Sequence, residues 1–313
     1  MKADTGIVLQ NTIRSSVEFD GIGLHSGSVV RMSIHPAPIN NGIWFHRTDV
    51  KQDDTMVPAL WNAVKRSSYC TVLENDSGVT VSTVEHVMAA LFGCGIYNAI
   101  IELNGPEVPI LDGSSLPFVQ AIMVSGVLAQ KQPIYAIKIM KTVQVKLKNA
   151  IAKLSPSDSL HIDFHIDFDD VAIGQQRKSL VMNNGAFVRE LSNSRTFCRQ
   201  ADVPKMLESG FVKGGCPGKN AVVFDGAEVV SPGGLRHLDE PVRHKMLDVL
   251  GDLALVGAPI LGRYSGVRAG HALTNKLLRT LFATAGATQT VLCDEAIVAR
   301  LLGVGLHWSE IPS

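Results

Sequence analysis

Cysteine is scarce in this 313-residue chain. The five present, Cys70, Cys94, Cys198, Cys216 and Cys293, are scattered, odd in number and never in a CxxC pair. That argues against a disulfide framework and a cysteine-built zinc site, and it fits reduced thiols in a cytoplasmic protein. Net charge is also lacking, because 29 Lys and Arg balance 29 Asp and Glu. With no basic surplus, neither nucleic acid nor a charged membrane surface is an expected partner. Long hydrophobic runs are missing too. LVGAPILG is too short and too broken to span a bilayer. The opening MKADTGIVLQNTIRSS has no apolar core segment, so no secretory leader is expected. What is there is 46% hydrophobic and 19% charged, a globular composition, with length for two domains or one large one.

The richest segment is RHKMLDVLGDLALVG, within a helix expected over 241–256. Asp239 is a candidate N-cap, Pro241 suits the first turn, and Gly257 and Pro259 end it. Most of its body is apolar, so the helix should be buried. His244, Asp248 and Asp252 recur every fourth residue and form one polar stripe. Buried charges need a counter-charge or a metal. His244 and Asp248 can close on one cation. Asp252, roughly 12 Å from His244 along the axis, needs another partner. A plain His–Asp hydrogen bond without metal explains the same spacing.

Three other segments carry candidate chemistry. TVEHVMAA holds Glu85 and His86 in the first turn of a helix capped by Ser82 or Thr83, and it is not an HExxH motif. An ordinary helix start reads the same way. His271 follows Gly270 at another helix start, where the helix dipole disfavours imidazolium and a carboxylate such as Asp252 would oppose that shift. It is a candidate general acid or a satisfied core histidine. SRTF offers the Thr196 hydroxyl or a mere turn. Lys245 meets an anionic group or snorkels to solvent. His35, His46, His161, His165, His237 and His307 fall in no constellation.

Strand and helix patterns recur in the same order twice, suggesting an internal duplication of architecture. Strands over 7–47, a helix over 81–95, the strand YNAIIELNG and a helix capped near Ser114 or Ser115 form the first half. QKQPIYA reads as a linker. Strands, a block at 197–233, the helix at 241–256 and a final helix from His271 form the second. The expected fold is α+β. It has two similar domains, 1–131 and 136–313, each a sheet packed on helices, with the active site between them.

GIGLHSG, TVEHVMAAL, PILDGSS, SRTF, RHKMLDVLGDL and SGxxxGHALTNKLL occur in that order. Together they resemble the UDP-3-O-acyl-N-acetylglucosamine deacetylases, zinc amidases of lipid A biosynthesis, over roughly residues 8–300. The resemblance implies a zinc triad of His86, His244 and Asp248, with ferrous iron as the alternative ion. It implies Glu85 as base, His271 as catalytic histidine held by Asp252, and Thr196 as oxyanion donor. It sets Lys245 near the substrate diphosphate, Arg268 in the nucleotide site and Phe168 on the uracil. Leu24 and Phe197 would also touch substrate. The insert at 197–233 would wall an acyl passage, with Val203, Met206, Phe211, Val212 and Ala221 lining or supporting it. RTFCRQADV is more polar than the family pattern, and the C-terminal HWSEIPS has no counterpart. The implied protein is a cytoplasmic monomer acting on a UDP-linked acylated amino sugar. A zinc hydrolase of another acylated sugar nucleotide, a non-catalytic sugar-nucleotide binder and a scaffold without ligand are the alternatives.

Overall fold

A computed structural model describes residues 9–312. Two five-stranded sheets share one topology. The first runs, in space, Val17–Ile22, Val29–Pro36, Ala99–Leu103, Ile43–Arg47, Met56–Pro58. The second runs Val143–Leu147, Ala150–Ser155, Arg263–Val267, His161–Asp167, Gln175–Val181. In both, the last strand in sequence inserts centrally, antiparallel to the second and parallel to the third. Period-two burial explains these strands. Ile162, Phe164 and Ile166 face inward from His161–Asp167, while the residues between them are half-exposed. The fold is thus α+β, and the duplication is one of topology.

Seven α-helices lie among the described residues: α1 Glu85–Gly93, α2 Leu116–Ser125, α3 Ala186–Glu190, α4 Val203–Glu208, α5 Glu240–Ala254, α6 His271–Ala283 and α7 Glu295–Val298. α1 and α5 are the helices next before the last strand of each sheet, and α2 and α6 the helices next after it; α3 and α4 are additions to the second repeat. Each repeat also inserts a three-stranded sheet between its fourth strand and α1 or α5. The first insert is Val64–Lys65, Val72–Glu74 and Thr80–Ser82. The second is Phe197–Arg199, Val222–Asp225 and Glu228–Val229.

All nine residues of α1 are buried, and α1 packs on α5. A helix apolar on all sides needs cover on all sides. Gly251 makes the crossing possible, because a Cβ there would clash with the Glu85 carbonyl oxygen. The two helices are therefore in close approach at Glu85 and Gly251, beside Asp248 and Asp252.

Some expectations change. QKQPIYA is no free linker: Val127–Pro133 pairs with Leu9–Ile13, and Tyr135–Ile139 pairs with Thr288–Leu292 and Ile260–Leu261. Its polar residues belong to half-exposed strands. The first strand is described from Leu9; Ile7 and Val8 of the expected 7–47 block lie outside the described residues. Asp239 is the N-cap of α5 without a cap hydrogen bond, since its carboxylate binds Arg243 and Lys178. Neither Ser82 nor Thr83 caps α1. Val84 is the N-cap, Thr83 sits at φ 57°, and its hydroxyl donates to Glu107. Within HWSEIPS, Trp308–Glu310 form a helical turn, with Glu310 paired to Arg189. No helix among the described residues is long and apolar enough to cross a membrane.

Candidate active site

Helix α5 presents His244 and Asp248 one turn apart, and the start of α1 presents Glu85 and His86 against them. His244, His86 and Asp248 are buried, and each offers a ligand atom within 4.8 Å of the others. Asp248 Oδ1 lies 3.4 Å from His244 Nε2 and 3.8 Å from His86 Nε2. His244 Nδ1 lies 3.0 Å from the Ser194 carbonyl oxygen. Only a protonated Nδ1 can donate there, which leaves the Nε2 lone pair facing Asp248. His86 Nδ1 is buried with no hydrogen-bond partner.

The protonation states suit a cation. Burial pulls His86 down to about 3, helped by neighbouring His244. Burial also lowers His244. Burial alone would raise Asp248, but His244 and Lys245 beside it hold its carboxyl far below the usual range. Two neutral imidazoles and one carboxylate are a donor set that a borderline divalent ion accepts.

A second set of groups faces this one. Glu85 Oε1 lies 3.7 Å from His271 Nε2, and Asp248 Oδ2 lies 3.9 Å from that same nitrogen. Asp252 Oδ2 holds His271 Nδ1 at 3.0 Å. Burial raises Glu85 to about 7, against the attraction of His271. For His271, burial lowers the imidazolium, but Asp252 and Glu85 outweigh it and raise it to about 9. The carboxylates thus prevail over the helix dipole expected to disfavour its charge. Asp252 has found the separate partner that its distance along α5 required.

Thr196 is pinned by its backbone. Its N–H donates to the Gly113 carbonyl and its carbonyl accepts from Val222 N–H, each at 2.8 Å. Its hydroxyl makes no hydrogen bond among the described residues. Lys245 neither snorkels nor stands free, because its Nζ lies 2.5 Å from Asp248 Oδ2. Phe197 packs edge-on against both His244 and Phe168, at ring separations of 6.2 and 5.7 Å. Arg268 pairs with Asp167, next to Phe168, and its own N–H binds the His165 carbonyl. Phe168 and Arg268 therefore lie together just past the ends of two neighbouring parallel strands.

In the second insert, Met206 and Ala221 are buried, while Val203 and Val212 are half-buried. Val212 holds φ 52°, a strained conformation for a β-branched residue. Phe211 packs edge-on against Tyr69 at 4.8 Å and against His25 at 5.2 Å. Gly214 N–H donates to the carbonyl of Leu24, which is itself buried. The insert is thus docked on the GIGLHSG loop of the first repeat.

A sequence model of the UDP-3-O-acyl N-acetylglycosamine deacetylase family matches residues 10–283. The chain belongs to this family. A UDP-3-O-acyl-N-acetylglucosamine deacetylase of Shewanella frigidimarina is 41% identical over 291 residues, covering 92% of this chain and 94% of that protein. One of Phenylobacterium zucineum is 43% identical over 276 residues, covering 88% and 94%. Membership in the deacetylase family makes the chain a hydrolase.

Several groups at this candidate site escape sequence reading. The Ser194 carbonyl fixes the His244 tautomer. Glu240, buried in the first turn of α5, receives Arg195 through both carboxylate oxygens at 2.9 and 3.0 Å, tying the Ser194–Thr196 segment to the helix. Ser115 Oγ donates to the His86 carbonyl at 2.8 Å. An acidic residue in a helix's first turn was the only hint of any of these.

Proposed function

We propose that this chain hydrolyses the N-acetyl group of UDP-3-O-(3-hydroxyacyl)-N-acetylglucosamine, releasing acetate and the free amine, an early step of lipid A biosynthesis. The observation that carries the site assignment is the convergence of Glu85, His86, His244, Asp248 and His271 from α1, α5 and α6. His86, His244 and Asp248 would hold the metal, zinc by preference with ferrous iron the other candidate. Such an ion supplies Lewis acidity toward the acetamide carbonyl and acidifies water.

The chain's own groups handle the protons. Glu85 accepts a proton from the attacking water at Oε1, the oxygen that faces His271. His271 delivers a proton from Nε2 to the departing nitrogen, because an amide anion is too basic to leave. Asp252 keeps the other ring nitrogen protonated and aimed. The Thr196 hydroxyl donates to the carbonyl oxygen as it gains charge, a contact worth about 3–4 kcal/mol where geometry is good. Phe168 and Arg268 would receive the uridine end. Lys245 would turn from Asp248 toward the diphosphate. Leu24, Phe197, Val203, Met206, Val212 and Ala221 would meet the acyl chain.

The test is acetate release from the UDP-linked substrate, with metal content measured on the same sample. Chelation should abolish turnover and zinc should restore it. Turnover by protein shown to be metal-free would remove the metal from the reading, and no acetate release from metal-replete protein would remove the reaction.

A further inference from the structure

Thr71 lies just ahead of the strand Val72–Glu74 in the first insert and is buried. It makes two hydrogen bonds into the proton-transfer groups. Its backbone N–H donates to Glu85 Oε2 at 3.1 Å, and its hydroxyl donates to Asp252 Oδ1 at 2.6 Å. Asp252 in turn holds His271 Nδ1, and His271 Nε2 faces Glu85 Oε1 at 3.7 Å. The four residues close a ring in which Thr71 occupies the side away from the reacting nitrogen and oxygen. Glu85 thus has Oε1 directed at His271 and Oε2 tied to Thr71, while Asp252 faces His271 Nδ1 with both oxygens, at 3.0 and 3.2 Å, and its Oδ1 also receives the Thr71 hydroxyl. We infer that Thr71 is a positioning residue that sets the base Glu85 and the acid His271 at a fixed separation. This inference rests on the roles proposed above for Glu85, Asp252 and His271.

Two features make the role separable from packing. The backbone bond to Glu85 survives any side-chain change except proline. The hydroxyl bond to Asp252 is removed by valine, which keeps the shape, and is kept by serine, which loses only a methyl group. A buried carboxylate that loses one charge-assisted hydrogen bond is free to rotate, and His271 follows it.

The experiment compares Thr71→Val and Thr71→Ser in the metal-loaded enzyme, alone and in the His271→Gln background. Thr71→Val should lower kcat about tenfold or more with KM and metal content unchanged, the scale of one hydrogen bond to a charged group. Thr71→Ser should stay within about threefold of wild type. In the His271→Gln background, Thr71→Val should cost almost nothing further, because the group it positions is gone. Equal losses in Val and Ser, loss of metal in Val, or a full additional loss beside His271→Gln would each overturn the proposal. Unchanged kcat in Thr71→Val with a crippled His271→Gln overturns this proposal alone. Unchanged kcat in His271→Gln overturns the reading beneath it as well.

Discussion

Helix α1 and helix α5 occupy equivalent places in the two repeats, each just before the last and central strand. The first carries Glu85 and His86 in its opening turn. The second carries His244, Asp248 and Asp252 along one face. The helices that follow differ more. At the start of α2, Ser115 serves the scaffold by donating to the His86 carbonyl. At the start of α6, His271 faces Glu85 and Asp248. Both inserts reach the same place, through Thr71 on Glu85 and Asp252 in the first and through Phe197 on His244 in the second. One topology used twice has therefore been given unlike side chains, and neither repeat holds a complete set. On the proposed reading, the second repeat would offer two of the three metal ligands and the acid, and the first the third ligand and the base.

The sharpest challenge to this division is to remove one ligand from each repeat. His86→Ala and His244→Ala should both abolish bound metal, measured by elemental analysis, and lower turnover by several orders of magnitude. Retained metal in His86→Ala would mean that the second repeat suffices. Next come the proton-handling groups. Glu85→Gln and His271→Gln should each lower kcat by about 10²–10⁴ while metal stays bound.

The same pair sets the pH profile. Glu85, raised to about 7 by burial, must be ionised, so activity rises through its pKa. His271, pulled down by burial but raised to about 9 overall by Asp252 and Glu85, must be protonated, so activity falls as pH passes it. A bound cation beside both would move each limb downward. A kcat profile with one limb would leave only one of the two residues titrating in turnover.

A milder change tests the crossing itself. Gly251→Ala sets a methyl against the Glu85 carbonyl oxygen, and it should cost about 1–3 kcal/mol in denaturant unfolding and weaken metal binding. Unchanged stability would show that α1 and α5 can separate slightly without loss. The smallest effect belongs to the second insert. Ala221→Leu should shorten the preferred acyl chain, with about 0.8 kcal/mol at stake per methylene, at unchanged zinc content. Identical profiles of kcat/KM against chain length in mutant and wild type would make Ala221 mere packing.

Legibility tracked how local each signal was. His244 and Asp248 could be read because i,i+4 spacing puts two residues on one helix face whatever surrounds them. The repeated order of strands and helices was visible for the same reason. Thr71 could not be read, since its partners Glu85 and Asp252 are separated from it by 14 and 181 positions. QKQPIYA looked like linker because its polar residues sit on a largely exposed strand, where composition says little about backbone pairing. Thr83 looked like a cap by residue type alone, and the demand of buried Glu107 for a donor decided otherwise.

The complete burial of α1 has a consequence for how the protein is made. Val87, Met88, Leu91 and Phe92 leave the ribosome long before α5 exists to cover them. At ~5–20 residues per second, His86 waits about 8–30 s for His244. Through that interval the first repeat can pair its strands, but its most apolar helix has no final resting place. Capture of a metal ion by the proposed ligands His86, His244 and Asp248 would follow the docking of α5. Ion content would then count finished molecules, and a chain halted between the repeats would be metal-free, with α1 uncovered.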